Sequence, residues 1–158
     1  MLSESARMSS AAEARFRVQA PNSMPRAITV IALDVDGERV VRDLASGGWQ
    51  NARFFTSFSA DGALTGITGA NRTIADEVDA SDLVVLVAGP GGRADSAARI
   101  GQACSLKPVM TTGFVVGAAG ASDAELSKTL AQLRPWSLMV VIANSDDYID
   151  DMMTALRA

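Results

Sequence analysis

Four short apolar runs, each followed by a stretch with helical spacing, constrain this chain more than any other feature of its sequence. They are residues 27–33 (AITVIAL), 82–88 (DLVVLVA), 108–117 (PVMTTGFVVG) and 136–143 (WSLMVVIA). All are far shorter than the roughly 20 residues needed to cross a bilayer. They are rich in β-branched residues and, because they lack a polar alternation, read as strands buried on both faces. A strand covered on both faces needs a layer of helices on each side of its sheet. The expected fold is therefore a three-layer α/β sandwich with a mainly parallel central sheet, Rossmann-like, built from right-handed βαβ units.

The segments between the runs fit this frame. After the first run, Asp34-Val35-Asp36-Gly37 turns the chain, residues 38–44 have helical spacing, and Gly47-Gly48 ends that helix. Residues 51–59 (NARFFTSFS) suggest a second strand, and residues 61–69, with three glycines, a loop. Residues 71–80 predict a helix with Ile74 and Val78 on one face. Gly89-Pro90-Gly91-Gly92 leads into an Ala-rich helix over 93–105. Ser122 and Glu125 form a capping-box pair at the start of a helix that ends before Pro135, and Asn144 or Ser145 caps a last helix over 146–156.

A chain of 158 residues suffices for one core, and residues 27–158 are read as a single α/β domain. Residues 1–26, rich in Ser, Ala and Arg, lack the apolar stretch of a secretory signal and are expected to be a flexible leader or tail. The cytoplasm is the expected compartment. Fourteen basic residues against 18 acidic ones leave no basic stripe, so no nucleic-acid partner is expected, and no membrane partner either. With no histidine and Cys104 as the one cysteine, an internal disulfide is impossible and histidine-based general-base catalysis is excluded. In an Ala-rich helix, Cys104 reads as a small core side chain.

In open parallel sheets, ligands sit outside the carboxyl ends of the strands. The loops at 34–37, 59–69, 89–93 and 144–147 qualify, and the third is the best candidate. Its glycines let successive amides face one oxyanion at a helix N-terminus, and Arg93 can add a bidentate contact. The competing reading is a tight turn in which glycine only relieves strain; Asp95, which puts negative charge in the same helical turn, favours it. Neither a Walker motif nor a dinucleotide fingerprint is present. Asp34 and Asp36 could hold magnesium, or cap the following helix. The acids at 146, 147, 150 and 151 read as a solvated helix start and face, and Thr111 and Thr112 as sheet residues.

The stretch 82–116 resembles the nucleotide-binding half of the FtsZ/tubulin family, in which a buried strand enters a loop Ala-Gly-x-Gly-Gly-Gly-Thr-Gly-Thr/Ser-Gly. Ala88, Gly89, Gly91 and Gly92 match that loop, Ser96 stands at its second hydroxyl position, and Ala98 matches the helix start. Residues 108–116 have the place of the family's next strand. WSLMVVIAN resembles its later strand with a terminal Asn, here Asn144, and residues 55–61 (FTSFSAD) lie where its strand leads to an Asn-Thr-Asp segment. Arg93, Ala94, Asp95 and Ala97 depart from Gly, Thr, Gly and Gly, and residues 34–37 do not reproduce the family's first phosphate loop. The family's central helix and water-activating second domain have no counterpart in this sequence.

The resemblance implies a shortened, degenerate FtsZ-like binding module without GTPase activity. It would bind a nucleotide or other anionic small molecule through Gly89, Gly91, Gly92, Arg93, Ser96 and Asn144, and act through a protein partner or its own oligomer. No metal is expected, and the cofactor, if not a nucleotide, is unknown. The alternatives are an enzyme using a phosphorylated cofactor or substrate at the same loop, and a structural or regulatory protein with an empty site.

Overall fold

The computed structural model describes residues 26–58, 62–92, 94–107, 109–143, 147–156 and 158. Five strands form a parallel array: β1 (Ile28–Ala32), β2 (Ala52–Thr56), β5 (Leu83–Ala88), β6 (Met110–Val116) and β7 (Met139–Ala143). Two short strands, β3 (Ala63–Gly66) and β4 (Arg72–Thr73), add antiparallel beyond β2. The order across the sheet is β4-β3-β2-β1-β5-β6-β7. All four apolar runs thus enter one sheet in parallel, as their pattern requires.

Among the described residues five helices complete the layers: α1 (Val35–Ala45), α2 (Ile74–Asp79), α3 (Ser96–Leu106), α4 (Asp123–Leu133) and α5 (Asp147–Ala155). Period-2 alternation sends Ile31, Phe55, Leu86 and Val115 to one face, where they meet Val78, Ile100 and Leu133 from α2, α3 and α4. Val30, Phe54, Val85 and Phe114 point the other way, onto Val40 and Val41 of α1 and Ile149 and Met153 of α5. Both faces are covered by helices, which is why the strands carry no regular polar alternation.

Three expectations need correction. Residues 61–69 are not all loop: Ala63–Gly66 pairs with β2, and the Asn71 carboxamide accepts the Gly66 amide at 3.0 Å to close a small hairpin. That use of Asn71 delays the next helix to Ile74, with Thr73 as its cap. The last apolar run pairs only from Met139, because residues Arg134–Trp136 form a 3-10 turn around Pro135 and Trp136 packs against Gly101. The Ser122–Glu125 capping box is present, with the Glu125 amide donating to Ser122 Oγ at 3.2 Å. The Asn144 and Ser145 caps lie outside the described residues.

Chain direction across the sheet sets the functional geometry. The link through α1 carries the chain from β1 to β2 on one side, while the link through α3 carries it from β5 to β6 on the other. β1 and β5 are neighbours, so their connections diverge and open a crevice at their carboxyl ends.

Candidate functional site

That crevice is a cavity of about 600 Å³, lined by the ends of β1, β2 and β5 and the start of α3. Leu33, Val35 and Phe58 supply an apolar wall, Asp34, Asp36 and Asp95 carboxylates, and Arg99 a cation. Pro90, Gly91, Gly92 and Ser96 complete the lining. Val35 and Phe58 are both exposed at the rim although large and apolar.

Asp34 organises the loop. Its Oδ1 accepts the Gly37 amide at 2.7 Å and so caps α1, the helix-capping role allowed for it by its sequence position. The same carboxylate accepts the Gly89 amide, from Oδ2 at 2.9 Å, and latches the end of β5 to the end of β1. Gly92 packs directly on this group; a Cβ there would lie 2.2 Å from Asp34 Oδ2. Among the described residues no group of three or more acids or cysteines could hold a metal ion.

A second set of bonds comes from α4. Thr129 Oγ1 donates to the Gly89 carbonyl at 3.0 Å and accepts the Gly91 amide at 2.9 Å, and that amide also reaches the Glu125 carbonyl at 3.1 Å. Gln132 accepts the Ala94 amide at 3.2 Å and donates to Asp95 at 3.0 Å. Gly91 adopts a φ of 74°, a left-handed conformation in which a β-carbon costs about 1–2 kcal/mol. A ring of amides converging on one anion, centred on Gly91, is therefore not what the loop forms: the Gly91 amide is already engaged. A valine at Gly91 would strain the fold as well as the site.

Of the residues singled out from sequence, Gly91, Gly92 and Ser96 line the crevice, and Gly89 sits behind it, latched by Asp34. Ser96 begins α3, and its hydroxyl donates to the Ser57 carbonyl at 2.8 Å, joining β2 to α3 across the cavity floor. Arg93 and Asn144 lie outside the described residues. Ser57 itself was not anticipated. It lines the crevice and is 1% exposed, and among the described residues its Oγ has no hydrogen-bond partner. A buried hydroxyl without a partner costs about 1–3 kcal/mol unless something supplies one.

Burial pushes the Asp34 carboxyl above its ordinary value of 3.8; the Gly37 and Gly89 amides pull the other way, and Asp36 adds a further upward push. The folded state then holds this proton more tightly than the unfolded chain. The resulting stability is full below about pH 3.8 and is lost as pH rises through the folded value. Asp34→Asn keeps an acceptor and removes the titration. The stability of the wild type relative to this variant should fall as pH climbs from 3 past the raised value, a trend that urea midpoints at several pH values check. A flat or rising difference would contradict the burial assigned to this carboxylate. Burial also pushes the Cys104 thiol up, in keeping with a core side chain.

The sheet order, the helices on both faces and the crevice at the switch point define a Rossmann-like three-layer α/β protein. Among solved structures, translation elongation factor SelB from Methanococcus maripaludis, in complex with the GTP analogue GppNHp, superposes with a TM-score of 0.51 at 9% identity, over 85% of this chain and 33% of that one. The apo form of the same factor gives a TM-score of 0.46 at 11% identity, over 85% and 34%. The chain thus spans about a third of the length of these proteins. No family model and no curated protein matches it. What it shares with the first SelB structure is the α/β fold, and neither neighbour belongs to the FtsZ/tubulin family. No helix among the described residues is long and apolar enough to cross a membrane.

Proposed function

We propose that this chain is a non-catalytic α/β binding module that takes a nucleotide, or another small molecule with an anionic group, in the crevice between β1 and β5. The Ser57 hydroxyl carries the reading: Ser57 lines the crevice, and among the described residues its buried Oγ lacks the partner that a ligand's oxygen or nitrogen would supply. Val35 and Phe58 offer an apolar platform for a base, since an exposed aromatic ring gains from stacking. Asp36 and Asp95 suit sugar hydroxyls as hydrogen-bond acceptors. The anionic group belongs away from the engaged Gly91 amide and against the Arg99 guanidinium, since the Asp95 carboxylate at the N-cap of α3 offsets the helix dipole there.

The FtsZ-like reading of the 88–98 loop supports a nucleotide in particular. It does not extend to GTP hydrolysis, because Ala94, Asp95 and Ala97 replace the Thr, Gly and Gly of the family's loop. The alternative of an enzyme acting on a phosphorylated compound draws support from Asp34, a half-buried carboxyl with a raised pKa at the same crevice.

Ser57→Ala separates a ligand-facing hydroxyl from a merely buried one. Removing an unpartnered hydroxyl should leave the free protein as stable or slightly more so. Nucleotide affinity should fall by about 0.5–1.5 kcal/mol, the worth of one neutral hydrogen bond. Calorimetric titration beside thermal unfolding reads both quantities. Unchanged affinity in the variant would remove Ser57 from the site.

A further inference from the structure

Backbone amides that could grip a phosphate chain at the crevice are already bonded within the protein. The Asp34 carboxylate accepts two of them, from Gly37 at 2.7 Å and from Gly89 at 2.9 Å. Thr129 Oγ1 accepts the Gly91 amide at 2.9 Å, and Gln132 Oε1 the Ala94 amide at 3.2 Å. Asp34 therefore stands where a bound anion would, between the first turn of α1 and the end of β5, with Gly92 packed against it. Sites that wrap a di- or triphosphate leave such amides open to the ligand.

Charge points the same way. Asp34, Asp36 and Asp95 line the crevice, with Arg99 as the cation. Counting Arg93, the residue after Gly92 in sequence, still leaves three carboxylates to two guanidiniums. A terminal di- or triphosphate would bring several negative charges against this excess, while the Arg99 fork matches one anionic group. The observation that points to a ligand at all is Ser57, whose buried Oγ lacks a partner among the described residues.

We propose that the crevice selects a nucleotide whose phosphate is a diester, and disfavours terminal di- and triphosphates. The proposal rests on the crevice being a nucleotide site. A phosphate monoester carries about −1.5 to −2 charges at neutral pH, whereas a diester, with no second proton to lose, holds a single one. That single charge pairs with Arg99. The carboxylates of Asp36 and Asp95 then accept from the ribose hydroxyls, and the same two groups repel any further phosphate.

Calorimetric titration in the presence of EDTA tests this with one series each from adenosine and guanosine. The members are the nucleoside, the methyl ester of its 5′-monophosphate, the diphosphate and the triphosphate, so that base and ribose hydroxyls stay constant. In at least one series the methyl ester should bind the wild type at least about tenfold more tightly than the triphosphate, with the diphosphate between them. Asp36 and Asp95 are exposed, and asparagine keeps an acceptor at each, so Asp36→Asn/Asp95→Asn should stay folded. In that double variant the gap should narrow to about threefold or less. A triphosphate that binds the wild type as tightly as the methyl ester would overturn the proposal and leave the nucleotide site standing. So would a gap that the double variant leaves unchanged, since size rather than charge would then set it. Failure of every member to bind the wild type would remove the nucleotide site itself, and this proposal with it.

Discussion

Phe114→Ala should lower the unfolding free energy by about 3–5 kcal/mol, the usual cost of emptying a buried aromatic site. Phe114 is fully buried on β6, between β5 and β7, and its ring tilts against Tyr148 with centroids 6.2 Å apart. It joins the layer of α5 to the sheet at the point where the free edge begins. Phe114→Leu, which keeps most of the volume, should cost far less. Urea unfolding of both variants checks this through the midpoint at an unchanged slope. A loss below about 1 kcal/mol for Phe114→Ala would mean that the α5 layer is not packed as described.

Arg53→Met should cost about 2–4 kcal/mol. Glu77 of α2 is 1% exposed, with Arg53 Nε from β2 2.5 Å from its Oε1 and Arg72 Nε from β4 3.8 Å from its Oε2. The contact is ionic rather than a well-aligned hydrogen bond, since among the described residues neither carboxylate oxygen has a hydrogen-bond partner. Removing Arg53 leaves a buried carboxylate facing only the more distant arginine, and stranding a buried charge typically costs about 3–5 kcal/mol. The lower figure expected here reflects the half-exposed arginines, whose solvent contact screens the pair. The double variant Arg53→Met/Glu77→Leu should recover much of the loss, because no charge is then left buried. A double variant as unstable as the single one would show that packing rather than charge sets the cost.

The architecture was legible because its strands are covered on both faces: runs such as residues 82–88 have no other stable use in a chain of this size. Elements resting on a single side-chain bond were not legible. Nothing in the pattern of residues 61–69 announces a strand, since β3 is set by pairing with β2 and by the Asn71 turn. The site divides along the same line. The glycines of the 89–92 loop and the position of Ser96 could be read as places where backbone turns between strand and helix. Their bonding could not, because Thr129 and Gln132 come from a helix some 40 residues away in sequence. Asp34 was open between metal ligand and cap, and its bonds to Gly37 and Gly89, which show the cap and latch, cannot be read from the sequence. Ser57 carries no local signal at all, since a serine after a strand is ordinary and its orphaned hydroxyl is a property of the packed crevice.

Titration of a nucleoside diphosphate into the isotope-labelled protein, followed by backbone amide shifts, tests the binding reading most directly. Saturating shifts are expected at Ser57, Phe58, Gly92 and Ser96, the ends of β2 and β5 and the start of α3, with little change at the β7 edge. No saturable change at millimolar ligand, or changes centred away from the crevice, would contradict it.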